Sequence, residues 1–151
     1  MCVLGDLERG HKVDSPSWVA ALVHQPMVMP LARICLVSAY LLGGVTKAMH
    51  FDAAVAEQLH SGLHPGWLWA ALAIFLEIVG SLCIVFNRLT WFGAGGLAAL
   101  TLVAMVVAND FWHLQGVARF MALNSFFEHL GLIAAFVIVT YVASGERRTR
   151  V

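Results

Sequence analysis

Residues 67–86 read WLWAALAIFLEIVGSLCIVF, a stretch in which Glu77 is the only charged side chain. Its length matches the roughly 20 residues that a helix needs to cross the hydrocarbon core of a bilayer. A helix satisfies its backbone polar groups internally, as lipid requires, whereas a strand of a membrane β-barrel alternates polar and apolar residues. The stretch therefore predicts a transmembrane helix with one carboxylate near its middle.

Three further apolar stretches of similar length accompany it, at 31–49, 91–108 and 121–143. Each is long enough to span a bilayer as a helix. Their few charged side chains are Arg33, Lys47 and Glu128. The four stretches together predict four transmembrane helices.

The composition of the whole chain supports the same class. Hydrophobic residues make up 60% and charged residues 12% of it, against about 45–50% and about 25% in soluble domains. These figures exclude an ordinary soluble domain and a disordered chain. Nine basic and nine acidic residues cancel, so no nucleic-acid partner is expected. The predicted fold is all-α, a transmembrane four-helix bundle in a lipid bilayer with short amphipathic or interfacial segments.

The charged residues also predict the domain organisation and the orientation. We expect residues 1–30 to form a cytoplasmic tail with an interfacial segment, 31–143 the membrane domain and 144–151 a basic cytoplasmic tail. With four spans, both termini share one side of the membrane with most of the basic residues, namely Arg9, Lys12, Arg33, Arg88, Arg147, Arg148 and Arg150. The positive-inside rule then predicts a multi-pass protein of the cell (inner) membrane with both termini in the cytoplasm.

Two segments on the opposite, outer side carry local structure signals. Asp52 is a suitable cap for a short helix that ends near His60, followed by Gly62 and Pro65. The segment Asp110–Phe120 contains two aromatic residues and a histidine before Gly116. We expect it to form a lid seated in the membrane over the outer end of the bundle.

Polar residues from all four predicted helices fall in the outer half of the bundle. Glu77 lies ten residues after Trp67, about 15 Å along the helix axis. The candidate cluster consists of Lys47, His50, Glu77, Asn109, Asp110, His113, Asn124, Glu128 and His129. Ionisable groups inside a membrane are costly and are therefore candidates for function. A carboxylate at the depth of Glu77 is expected to be neutral or paired, with Lys47 or His129 as its partner.

Three roles for this cluster remain open. The groups could bond to one another and fix the register of the helices. They could line a pocket for a quinone or another small ligand and relay its protons. They could also bind a transition metal through Asp110, His113 and His129, although one pair spaced by three residues is a weak metal signature. The catalytic residues are unknown, and the sequence has no haem, flavin or nucleotide-binding motif.

The polar residues and glycines resemble the pattern of the DoxX family. Arg33, Tyr40, Gly44 and Lys47, followed by the SGLHPG loop that contains Pro65, are similar to the family's first helix and loop. Similar matches follow at Glu77-Ile-Val-Gly80, Asn87-Arg88, Asn109-Asp110-Phe111-Trp112-His113 and Phe127-Glu128-His129-Leu130. The resemblance covers about residues 31–143. It implies a four-helix bundle in which Arg33, Gly44, Pro65, Gly80 and Arg88 are structural positions of the family.

The resemblance also suggests a function. Family members include the membrane subunit of a thiosulfate:quinone oxidoreductase, components of membrane redox-stress complexes and assembly partners of other membrane proteins. We therefore expect a redox-associated membrane subunit with a quinone or small-ligand pocket in the outer half of the bundle. The alternative is a non-catalytic assembly or scaffold protein. A small-solute transporter is a weaker alternative because no internal repeat is present. A membrane or redox partner subunit and a homo-oligomer both remain open.

Overall fold

The structure, a computed structural model, describes residues 16–108 and 111–148. Within these residues the secondary structure is entirely helical. Its elements are α1 (Ser17–Val23), α2 (Val28–Met49), α3 (Phe51–His60), α4 (Gly66–Phe75), a π-helical segment (Leu76–Gly80), α5 (Ser81–Val85), α6 (Thr90–Ala108) and α7 (Gly116–Arg148). The segments α4, Leu76–Gly80 and α5 follow one another without a break.

Among the described residues, four helical stretches are long and apolar enough to cross a membrane: Val28–Met49, Gly66–Val85, Thr90–Val107 and Gly116–Gly145. The prediction of an all-α protein with membrane-spanning helices is therefore confirmed.

The span boundaries differ from the predicted ones at two places. The first span begins at Val28 and includes Pro30, which the sequence analysis placed in the preceding tail. Proline is tolerated there because the first turn of a helix makes no use of its N–H. The last helix begins at Gly116 rather than at residue 121 and continues to Arg148. Residues 116–120 are therefore part of α7 and not part of a separate lid.

The described chain divides after Leu31 into two compact units. The first contains α1, whose Trp18 is 70% exposed. An exposed indole is compatible with the predicted interfacial segment, and its position at a membrane surface stays a prediction.

The second unit contains the bundle core. Its fully buried side chains come from every span: Val37 on α2, Ile84 on α5, Leu97 on α6 and Phe136 on α7. Close helix approach depends on glycine, as is usual in lipid, where small residues let backbones come together. A Cβ on Gly93 would lie 2.3 Å from the carbonyl oxygen of Gly80. The second and third spans are thus in backbone contact.

The short helix α3 ends as the sequence predicts but begins differently. Gly62 has a φ of +77°, and the N–H of Leu63 donates to the carbonyl of Gln58 at 2.9 Å. These features define a Schellman motif, which requires a left-handed residue after the helix. At the other end the helix begins at Phe51 with His50 as the N-cap residue. Asp52 therefore lies in the first turn, where its charge favours the helix dipole, and the prediction that it caps the helix is wrong.

Candidate functional site

An ion pair between α2 and the second span forms the centre of the site. The ammonium Nζ of Lys47 donates to the carboxylate Oε1 of Glu77 at 2.5 Å. The Glu77 side chain is 8% exposed and the Lys47 side chain 25% exposed. Of the two partners that the sequence allowed for Glu77, Lys47 is the one in contact. The carboxylate is thus paired inside the bundle, as its depth requires.

Glycines on α2 create the space that Glu77 occupies. A Cβ on Gly44 would lie 3.0 Å from the Cβ of Glu77 and 2.9 Å from Cγ1 of Ile78. A Cβ on Gly43 would lie 3.5 Å from Oε2 of Glu77. The second carboxylate oxygen is therefore packed against the glycine surface of α2. Within the part of the chain that the structure describes, Oε2 is buried and accepts no hydrogen bond.

The π-helical segment Leu76–Gly80 holds Glu77. Such segments are rare, and they frequently occur at functional sites because the widened turn redirects side chains. The sequence does not indicate this segment, since the apolar stretch around Glu77 has the same composition as a regular helix.

A cavity of about 130 Å³ adjoins the ion pair and is partly open to the surroundings. We call it the Lys47–Glu77 cavity. Its polar wall consists of Lys47, Glu77, Glu57, Gln58 and Ser61. Its remaining wall consists of Leu63, Trp69, Leu72, Ala73, Leu100, Val103, Ala104 and Val107. The cavity is therefore an apolar chamber with one polar side supplied by α2, α3 and the π-helical segment.

Three polar residues of this wall were not among the sequence candidates. Glu57, Gln58 and Ser61 lie on or directly after α3. Residues spaced by three or four share one face of a helix, so the spacing of these three indicates a shared polar face of α3 but not which element that face contacts.

The polar residues of α7 lie elsewhere. Asn124 donates to Glu128 at 2.8 Å on an exposed surface of the helix. Nδ1 of His129 lies 2.6 Å from the carbonyl oxygen of Ser125. These bonds stay within α7, and among the described residues that helix contributes none to the wall of the cavity. The expected convergence of all four helices on one pocket is therefore not found for this helix.

Four candidates remain, namely two histidines, an asparagine and an aspartate. His50 and His113 are exposed. Asn109 and Asp110 lie outside the described residues. No group of three His, Cys, Asp or Glu side chains that could hold a metal ion occurs in 16–108 and 111–148. The metal alternative through Asp110, His113 and His129 is not tested, because it includes Asp110.

A hydrogen-bonded pair of hydroxyls between α2 and α6 was also missed. The hydroxyl of Tyr40 lies 2.6 Å from Oγ1 of Thr101, and Oγ1 of Thr101 donates to the carbonyl of Leu97 at 2.7 Å. Because the Thr101 hydrogen is used there, Tyr40 is the donor in the bond between the two hydroxyls. The pair links the first and third spans.

The five positions of the family pattern lie in the bundle interior, at close helix contacts or at helix ends. Arg33 is buried on α2, and Gly44 and Gly80 are sites of close helix approach. Pro65 is the N-cap residue of α4. The N–H of Arg88 donates to the carbonyl of Cys83 at 3.0 Å and so helps to end α5.

A second opening, which we call the α6–α7 groove, is larger and almost wholly apolar. Its volume is about 390 Å³. Its lining includes Trp91, Gly95, Phe136 and Tyr141. None of the described residues that line it is charged, whereas the Lys47–Glu77 cavity has three charged residues in its wall.

Comparisons with known proteins support a membrane location. A family model described as DoxX matches residues 28–110. The inner membrane protein YphA of Escherichia coli (strain K12) is 25% identical over 121 residues, which cover 80% of this chain and 86% of YphA. No solved structure shows significant similarity to the chain. The side of the membrane on which the termini lie stays a prediction. Because the family model covers more than half of the chain, the protein belongs to the DoxX family.

Proposed function

We propose that this chain is a redox-associated membrane subunit that binds the head group of a quinone, or a similar small ring ligand, in the Lys47–Glu77 cavity. The observation that carries the proposal is a partly buried ion pair in the polar wall of a chamber whose other wall is apolar. Binding sites for small molecules combine apolar walls with a few polar groups that fix orientation.

The size of the chamber agrees with a single ring. A cavity of about 150 Å³ lined by apolar side chains holds a benzene molecule, and the Lys47–Glu77 cavity has about 130 Å³. Because the cavity is partly open, substituents of the ring, including an isoprenoid tail, would extend out of it. Trp69 supplies an aromatic surface beside the ring position.

The ion pair supplies the chemistry that a quinone head group requires. An ammonium has three hydrogens, and in the described structure Lys47 donates one of them to Glu77. The others are available to a ligand carbonyl. Glu77, the carboxylate bonded to Lys47, would exchange protons with a hydroquinone, a role that acids and bases within hydrogen-bond reach of a ligand commonly perform. Electrons would be exchanged with a partner subunit.

A binding experiment with a matched control tests the proposal. Wild type, Glu77→Gln and Glu128→Gln are purified in a neutral detergent, and saturable binding of tetramethylbenzoquinone is measured by equilibrium dialysis. Both substitutions replace a carboxylate by an amide, but Glu128 lies on the exposed surface of α7. Far-UV circular dichroism verifies that each variant is folded.

We expect Glu77→Gln to weaken binding about tenfold, because Lys47 loses the charged partner that holds its ammonium at the cavity wall, and Glu128→Gln to bind like wild type. Equal binding by the folded Glu77→Gln variant would contradict the proposal. Absence of saturable binding to wild type, together with a stoichiometric protein partner in native membranes, would favour the scaffold alternative.

A further inference from the structure

We propose that the Lys47–Glu77 cavity accepts neutral head groups and rejects anions, and that Glu57 sets this charge preference. The inference rests on the proposed function, because it names the class of ligand that the same cavity would take. It adds a residue of α3 to a site whose other charged groups lie on the membrane spans.

The charges on the described wall of the cavity do not balance. One ammonium, that of Lys47, faces two carboxylates, those of Glu57 and Glu77. The formal sum is −1, and the other wall residues are neutral. A cavity wall with a net charge raises the local concentration of ligands of the opposite charge and lowers that of ligands of the same charge.

The one ammonium is already engaged. Lys47 donates to Glu77 at 2.5 Å, so an anion that paired with Lys47 would have to displace this carboxylate. Glu77 is 8% exposed, and its Oε2 is packed against the glycines of α2. Displacement would leave a buried charge without a partner, which is strongly unfavourable. A neutral carbonyl oxygen needs only one of the remaining hydrogens of Lys47 and leaves the pair intact.

Glu57 differs from Glu77 in its surroundings. Glu57 is an exposed residue of α3, and it also lines the cavity. It therefore lies at the open edge of the chamber, where an entering ligand meets it. Its neighbours Gln58 and Ser61 offer uncharged hydrogen-bonding groups to the same ligand. A carboxylate at this edge opposes an anionic ligand and has little effect on a neutral one.

The test compares two probes that differ in charge. The neutral probe is tetramethylbenzoquinone, and the anionic probe is the trimethylbenzoquinone that carries a sulfonate in place of the fourth methyl group. Dissociation constants are measured at fixed ionic strength for wild type, Glu57→Lys and Asp52→Lys. The control makes the same charge change on the same helix, at an exposed residue that does not line the cavity. Partition of each probe into the micelle is the same for all variants, so it cancels in comparisons between them.

We expect Glu57→Lys to strengthen binding of the sulfonate about tenfold and to change binding of the neutral quinone less than about twofold. Asp52→Lys should leave both nearly unchanged, because exposed charges outside the cavity are screened by salt. Equal shifts for the two probes, or the same shift in the control, would overturn the inference while the neutral quinone still binds. If neither probe binds saturably to wild type, the proposed function fails as well.

Discussion

Separate and combined substitution of Lys47 and Glu77 should give strongly non-additive changes in stability. Coulomb's law gives roughly 7 kcal/mol for unit charges 2.5 Å apart at an effective dielectric constant of about 20. Desolvation cancels much of this attraction, and removal of one partner of a buried pair typically costs about 3–5 kcal/mol. The difference in exposure of the two side chains then decides how the single variants differ.

Lys47→Met leaves the more deeply buried charge unpaired, because the Glu77 side chain is only 8% exposed. We expect it to lower the free energy of unfolding by about 3 kcal/mol. Glu77→Gln keeps an oxygen that accepts from Lys47, whose ammonium is 25% exposed and can reach water. We expect this change to cost about 1 kcal/mol. The double variant contains no unpaired charge and should lose about 2 kcal/mol, which gives a coupling energy of about 2 kcal/mol.

Reversible unfolding in mixed micelles of increasing SDS fraction, followed by far-UV circular dichroism, measures these differences. Glu128→Gln again serves as the control and should lie within about 0.5 kcal/mol of wild type. Additive losses, with about 4 kcal/mol for the double variant, would refute the view that the two charges stabilise each other. A Lys47→Met variant as stable as wild type would refute it too.

Two further predictions concern helix contacts. A Cβ on Gly93 would lie 2.3 Å from the carbonyl oxygen of Gly80, whereas a Cβ on Gly95 would meet open space. Gly93→Ala should therefore lose about 1–3 kcal/mol of stability, and Gly95→Ala should lose none. Equal effects of the two substitutions in the same unfolding assay would contradict the packing described. Thr101→Val removes the partner of the Tyr40 hydroxyl and should cost about 1 kcal/mol, whereas a variant with unchanged stability would show that this bond does not hold α2 against α6.

The sequence was sufficient for the four spans because hydropathy over about 20 residues reflects the thickness of the bilayer rather than any tertiary contact. It also identified both members of the ion pair, since a buried carboxylate requires a partner and few basic residues lie within the spans. The family resemblance also identified Gly44 and Gly80 as structural positions, and small residues of this kind are typical of close helix packing in lipid.

The residues that surround the Lys47–Glu77 pair could not be predicted from hydropathy. The angular position of α7 depends on packing against its neighbours, so residues at the right depth, such as Glu128 and His129, could still lie away from the cavity. The π-helical segment around Glu77 has no compositional signature, and its widened turn changes the register of the residues after it. The contribution of Glu57 depends on how α3 folds back beside the second span, which spacing alone does not determine.

Mapping the binding site of a photoreactive azidoquinone on the purified protein tests the central claim most directly. We predict saturable labelling at cavity residues such as Leu63, Trp69 and Val103, with competition by tetramethylbenzoquinone and about tenfold weaker apparent affinity in Glu77→Gln. Labelling concentrated in the α6–α7 groove, for example at Tyr141, or labelling that does not saturate, would contradict it.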